Sequence, residues 1–254
     1  MQKMFDLTGR IALVTGSTKG IGNAIARALA QAGAIVVLNG RDAARLAEAE
    51  AAMKAEGHKV HGIAFDVTDP AAAEAAIARI EDEVGPIRIL VNNAGIQYRA
   101  PLEDFPVAEW NRLMRTNIDS IFYVSQPVAK RMIPRGMGKI INIASIQGEL
   151  ARQTIAPYTA TKGAVKMLTK GMATDWAKYG LNINAIGPGY FNTELNAALV
   201  ANPEFSGWLT KRVPAGRWAE VEEIGGAAVF LASDASSFVN GHILYVDGGI
   251  TACL

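Results

Sequence analysis

Short runs of aliphatic and β-branched residues alternate along the chain with longer, alanine-rich stretches that read as amphipathic. Such runs suit buried strands and the longer stretches suit helices, and their alternation marks βαβ units on a parallel sheet. The pattern predicts strands at residues 11–15, 35–38, 60–65, 89–91, 139–143, 182–186 and 243–246, and helices at 22–32, 43–56, 71–84, 107–132, 157–179 and 221–231. Most of the helical stretches run into a glycine (Gly33, Gly57, Gly85, Gly136 or Gly180), the usual residue just past a last helical turn. No repeat, low-complexity tract or Pro/Ser-rich linker divides the 254 residues. The expected architecture is therefore a single α/β domain over residues 1–254, a doubly wound (Rossmann-type) seven-stranded parallel sheet with helices on both faces. Residues 190–218 break the rhythm and hold Trp208 and Trp218, which suits a helical substrate-loop insertion over a site.

Composition narrows the classes. With 25 Lys+Arg against 24 Asp+Glu, the net charge of +1 gives no electrostatic case for a nucleic-acid or membrane-surface partner. The single cysteine, Cys253, excludes a disulfide framework, and His58, His61 and His242 are scattered, so no metal site is expected. No run approaches the ~18–20 apolar residues of a membrane span, and the start lacks a signal core, so the expected location is the cytoplasm.

Directly after the first predicted strand comes Thr15-Gly16-Ser17-Thr18-Lys19-Gly20-Ile21-Gly22, leading into a helix. In that setting glycines let backbone approach a pyrophosphate, and the helix N-terminus supplies N–H groups and a positive dipole. The ribose-binding carboxylate of an NAD site belongs at the end of the second strand, but the chain there reads Leu38-Asn39-Gly40-Arg41. Arg41, with Lys19 as a second cation, fits a 2′-phosphate, so NADP(H) is predicted as cofactor. NAD(H) stays acceptable if Arg41 stacks on adenine and Asp42 turns inward. Asp66-Val67 after the third strand, and Asn93-Ala94-Gly95 after the fourth, lie at the carboxyl edge where open α/β sheets bind ligands.

Tyr158 and Lys162 sit four apart in a helix opened by Pro157, and so share a face. A phenol has an ordinary pKa near 10, and an ammonium and a positive nicotinamide nearby would both favour phenolate, making a tunable acid/base. An isolated Tyr-x-x-x-Lys is usually a surface pair, so it needs company. Ser145, at the end of the fifth strand, can polarise a carbonyl or hold an alcohol. Asn117 lies inside a predicted helix where Asn is mildly unfavourable, a position that asks for more than local propensity.

Over essentially its whole length the chain resembles the short-chain dehydrogenase/reductase family. The matching features are the 15–22 glycine loop, Asn92-Asn93-Ala94-Gly95, Asn117, Ser145, Tyr158 with Lys162, Pro188-Gly189 and Asp247-Gly248-Gly249. The resemblance implies a catalytic tetrad: Tyr158 transfers the proton, Ser145 fixes the reacting oxygen, Lys162 binds the nicotinamide ribose and lowers the tyrosine pKa, and Asn117 holds a relay water. It further implies that Pro188, Gly189 and Thr193 neighbour the nicotinamide, that hydride transfer is coupled to proton transfer at an alcohol or ketone, and that the chain forms a homotetramer. Long apolar helices at 107–132 and 157–179 suit an isologous interface.

Within the family, wording around the site is similar to the gluconate 5-dehydrogenase group, at Ile96-Gln97, Phe105-Pro106 with Trp110, Tyr190-Phe191, Pro214-Ala215-Gly216-Arg217-Trp218 and Phe238-Val239-Asn240-Gly241-His242. This implies interconversion of a sugar-acid hydroxyl and ketone, D-gluconate and 5-keto-D-gluconate first. Gln97, Arg99, Ser145, Gln147, Glu149, Arg152 and Tyr190 are the candidate substrate residues, since arginine takes a carboxylate in a bidentate fork. Other sugar acids, polyols or ketones, 3-oxoacyl-carrier-protein, and a non-catalytic NADP sensor are the alternatives.

Overall fold

The computed structural model describes residues 2–253. All seven expected strands form: β1 (Ile11–Val14), β2 (Ile35–Gly40), β3 (Val60–Ala64), β4 (Ile87–Asn92), β5 (Gly138–Ile143), β6 (Leu181–Pro188) and β7 (Ile243–Val246). They pair in parallel in the order β3-β2-β1-β4-β5-β6-β7. The helices are α1 (Gly20–Gln31), α2 (Ala43–Ala55), α3 (Pro70–Glu83), α4 (Val107–Met114), α5 (Ser120–Met132), α6 (Ala156–Trp176), α7 (Ala197–Val200), α8 (Pro203–Arg212) and α9 (Gly225–Ala232).

Alternation along each strand sends neighbours to opposite faces. Ala12, Val36, Ile89 and Ile141 pack with Ile25, Met53 and Leu231 of α1, α2 and α9. Leu13, Val37, Leu90 and Ile140 pack on the other face with Ile77, Val124 and Val165 of α3, α5 and α6. The inner strands β2, β1, β4, β5 and β6 are buried from both sides, which is why they read as nearly continuous apolar runs, whereas the edge strands β3 and β7 are partly open. Because β1 has β2 on one side and β4 on the other, the chain reverses its winding direction between them. A crevice opens at the carboxyl ends of such a pair.

Gly33, Gly57, Gly85, Gly136 and Gly180 all take positive φ after their helices, as expected. The predicted helix at 107–132 is different in detail: a π-helical segment, Arg115–Asp119, separates α4 from α5 and carries Asn117. Strands β2 and β6 each run two residues further toward the carboxyl edge than predicted. Residues 190–218 contain α7, α8 and a 3-10 turn, anchored by a bridge from Phe191 to Ala219. They build a satellite core in which Leu209 and Val213 meet Ile146 and Ile250, flanked by Tyr190, Phe205 and Trp218. Among the described residues no helix is long and apolar enough to cross a membrane, and no group of three or more His, Cys, Asp or Glu converges as for a metal ion.

Candidate active site

A cavity of about 780 Å³ opens along the carboxyl edge, running from the end of β2 past β1 and β4 to β5, β6 and the 190–199 segment. That volume suits a large cofactor or ligand.

At the β1–β4 crossing, backbone is welded by short polar side chains. Thr15 Oγ1 accepts from the amides of Asn93 (3.0 Å) and Ala94 (3.1 Å), and Asn93 Nδ2 donates to the carbonyls of Thr15 (3.0 Å) and Gly16 (2.8 Å). Gly16, at φ +60°, brings the loop against the Ala94 backbone, where a Cβ would lie 2.9 Å from Ala94 Cα. A methyl group on Gly22 would overlap Asn93 Nδ2 and the Gly16 carbonyl. Helix α1 then starts with no acidic residue in its first turn and no side-chain cap. Its first N–H groups are left for an anion, so the loop fits the pyrophosphate of a dinucleotide.

Gly16, Thr18, Lys19, Gly20, Ile21, Gly22, Asn39, Arg41, Asp66, Val67, Asn93, Ala94 and Gly95 all line this end of the cavity. Ser17 does not, contrary to the sequence expectation. Its hydroxyl donates to the Val14 carbonyl (2.7 Å) and accepts the Asn39 amide (3.0 Å), inside the fold. The Asn39 side chain is likewise spent, accepting from the Gly16 amide (3.2 Å) and donating to the Phe65 carbonyl (3.0 Å).

Asp42 also lines the cavity, but its Oδ1 is engaged in capping α2, accepting the amides of Ala44 (3.0 Å) and Arg45 (3.2 Å). The strand end therefore presents Arg41 to the cavity and, one helical turn on, Arg45, a lining cation that the motif reading passed over although its spacing from Arg41 was available. Lys19 reaches across to Glu194 at the start of the inserted segment, and Arg41 stands 3.7 Å from Asp66.

At the other end, Ser145, Tyr158, Lys162, Pro188, Gly189 and Thr193 share the cavity wall. Lys162 is buried and donates to the Ile143 carbonyl (2.7 Å), with Nζ 5.6 Å from the Tyr158 ring centre. Burial pushes the Tyr158 phenol up to about 12, against a hydrogen bond with Ser145 and the charge of Arg99, which both act to lower it. Burial likewise brings Lys162 down to about 8. In the protein alone, then, desolvation dominates, and the cation that acts on the phenol is Arg99 rather than the Lys162 ammonium expected to lower it.

Asn117 is buried outside the cavity wall. Its Oδ1 accepts the Ile96 amide (2.8 Å), while Nδ2 donates to the Ile96 carbonyl (3.0 Å) and to Thr161 (3.2 Å). The π-segment thus turns one asparagine side chain into a clamp between the β4 loop and α6.

Gln97, Arg99, Gln147, Arg152 and Tyr190 converge beside Tyr158 and Ser145. Arg99 donates to Gln97 Oε1 (3.1 Å). Arg99 Nε, Arg152 Nε and Gln147 Oε1 are shut off from solvent and have no partner among the described residues. Orphaned polar groups of this kind are costly unless a ligand meets them. Burial and then the like charge of Arg152 lower the pKa of Arg99. Glu149 departs from expectation: it lies outside the cavity, bound to Lys166 and to the Tyr245 hydroxyl (2.7 Å). The 3-10 turn after Ser145 swings it toward α6 and β7. Apolar Ile155 and Leu199 complete the wall and carried no signal in the sequence.

Comparisons with known proteins agree with this geometry. A family model described as enoyl-(acyl carrier protein) reductase matches residues 16–251. The gluconate 5-dehydrogenase of Gluconobacter oxydans (strain 621H) is 60% identical over 251 residues, covering 99% of this chain and 98% of that protein. The 5-keto-D-gluconate 5-reductase of Escherichia coli (strain K12) is 48% identical over 250 residues, 98% of each chain. A crystal structure of a gluconate 5-dehydrogenase from Burkholderia cenocepacia J2315, in complex with NADP and tartrate, superposes with a TM-score of 0.97 at 56% identity, covering 100% of this chain and 99% of that one. With a glycine loop, a Ser–Tyr–Lys constellation and relatives of this similarity over its whole length, the chain belongs to the short-chain dehydrogenase/reductase family.

Proposed function

We propose that this oxidoreductase interconverts D-gluconate and 5-keto-D-gluconate with NADP(H), Tyr158 serving as acid/base. The observation that carries the substrate class is the pair Arg99 and Arg152, whose shielded Nε groups lack partners beside the reacting end of the cavity. A sugar-acid carboxylate supplies acceptors for both, and its hydroxyls can donate to the orphaned Gln147 Oε1. The sugar-acid enzymes to which the chain is 60% and 48% identical support the same class. For the cofactor, Arg41, Arg45 and Lys19 supply cations where a 2′-phosphate would lie, and Asp42, on the same wall, spends its Oδ1 on its helix cap.

When bound, NADP(H) gives or accepts a hydride at C4 of its nicotinamide. In reduction Tyr158 donates its proton to the carbonyl oxygen that Ser145 holds; in oxidation it takes the hydroxyl proton. Lys162 stands beside the phenol, where it would hold the coenzyme's ribose, and Asn117 keeps the β4 loop and α6 in register through Ile96 and Thr161.

Oxidation assays with NADP and NAD on aldonates, polyols and simple alcohols test this reading. Activity is expected with NADP and aldonates, and preference for NAD and simple alcohols would overturn it. Arg152→Met is expected to raise KM for D-gluconate by about 10- to 100-fold, the worth of a charge-assisted hydrogen bond. An unchanged KM would remove Arg152 from substrate recognition.

The same reading includes a homotetramer, supported by Phe122 and Met167, which leave α5 and α6 apolar side chains 45% and 61% exposed. Sedimentation equilibrium is expected to give four times the 27.0 kDa chain mass. A monomer would refute it.

A further inference from the structure

Outside the cavity wall, helix α8 presents one aromatic ring to a residue of the substrate end. The Arg152 guanidinium carbon lies 5.2 Å from the centre of the Phe205 ring, over its face. Arg152 belongs to the irregular stretch between the turn at Ser145 and α6, so backbone regularity does little to hold its side chain. Arg99 shares the cavity with it, and two like charges there repel. Without an anion between them, something else must keep the second guanidinium facing inward.

The Phe205 ring can do so, because an aromatic face carries negative quadrupole density that attracts a guanidinium, more strongly where water is thin. The ring is itself braced, with Tyr190 at 5.8 Å, Trp208 at 5.4 Å and Trp218 at 6.2 Å between centres. Trp218 donates its indole N–H to Ser206 (3.1 Å), and Asn202 caps α8 by accepting the Phe205 amide (3.0 Å). Leu209, one turn on, is fully buried in the satellite core.

We infer that Phe205 is a positioning residue for specificity: its ring seats the Arg152 guanidinium ready for the substrate's carboxylate, so that α8 helps select acids over neutral polyols. This rests on the reading that the substrate carries a carboxylate. A seat formed before the substrate arrives spares the cost of ordering a long side chain on binding, and the benefit falls on acids alone.

The test compares Phe205→Leu, which keeps an apolar side chain and loses the face, with Phe205→Tyr, which keeps the face. D-gluconate and its neutral amide, D-gluconamide, are used as substrates or as competing inhibitors, and NADPH binding is titrated by fluorescence. For Phe205→Leu, KM for D-gluconate is expected to rise about five- to twenty-fold, the range of one partly desolvated cation–π contact. Its kcat, its handling of the amide and its NADPH affinity should stay close to wild type, and Phe205→Tyr should restore the gluconate KM. A loss shared equally by the amide, a fall in kcat with KM unmoved, or a tyrosine variant no better than leucine would overturn the inference. Wild-type enzyme that treats amide and acid alike refutes the carboxylate reading and takes this inference with it. Wild-type enzyme that discriminates, with Phe205→Leu discriminating equally well, refutes the role of Phe205 alone.

Discussion

Tyr158→Phe is expected to lose turnover by about 10²- to 10⁴-fold, the usual worth of a positioned general acid or base, while binding NADPH within a few-fold of wild type. The substitution removes one hydroxyl and leaves the ring that packs near Lys162. The pH dependence follows from the state of that hydroxyl. Burial first, and the neighbouring Tyr190 as a weaker contribution, hold the phenol up near about 12, against Ser145 and Arg99. At neutral pH it is therefore protonated, which is the form required for donating to a ketone. Oxidation needs the phenolate, so its rate should climb with pH toward a pKa brought below 12 by the positive nicotinamide, while reduction should fall through the same pKa. Single-turnover measurements in both directions, with NADPH titration as the binding control, check this. Turnover of the phenylalanine variant at the wild-type rate would mean that another group carries the proton.

How much of this site could be read from residues alone depends on the range of the forces involved. The strands, the helices and the glycines that close the helices were legible because burial period and backbone handedness act within a few residues. Tyr158 and Lys162 were legible as a pair for the same reason, one helical turn apart. Ser17 and Glu149 were misplaced because proximity in sequence to a cavity residue does not say which way a side chain turns. Ser17 is drawn in by the Val14 carbonyl and the Asn39 amide, and Glu149 by Tyr245, 96 residues away. For Asn117 the residues alone say only that it is out of place in a helix, and its place in a tetrad comes from the family resemblance. Its partner Ile96 lies on another strand's loop, and no local rule foretells a π-segment there. The pair of orphaned arginine Nε groups could not be foreseen either, since solvent exclusion is a property of the folded loops after β4 and β5 together.

Lys162→Met is expected to be nearly as damaging as loss of the phenol, but with a different dependence on pH. Lys162 is buried with its Nζ on the Ile143 carbonyl and its charge facing the Tyr158 ring. Methionine fills similar space without the charge, so phenolate loses the ammonium beside its ring and oxidation at pH 7 should fall by about 10²- to 10³-fold. Raising the pH supplies phenolate by mass action, so the deficit in oxidation should shrink toward pH 10, whereas that of Tyr158→Phe should not. Stability supplies a second, independent readout. Burial lowers Lys162 from 10.5 to about 8, so between those values the unfolded chain binds a proton that the native protein has released. Stability of the wild-type protein attributable to this group therefore rises with pH from about 8 to 10.5 and is lost again on acidification through 8. The methionine variant lacks that slope. Denaturant melts of both proteins at pH 7 and pH 10 measure the difference, and parallel behaviour of the two would show that Lys162 is not held against its own charge. An oxidation deficit that stays constant across pH would separate Lys162 from the ionisation of Tyr158 and leave it only the coenzyme's ribose to hold.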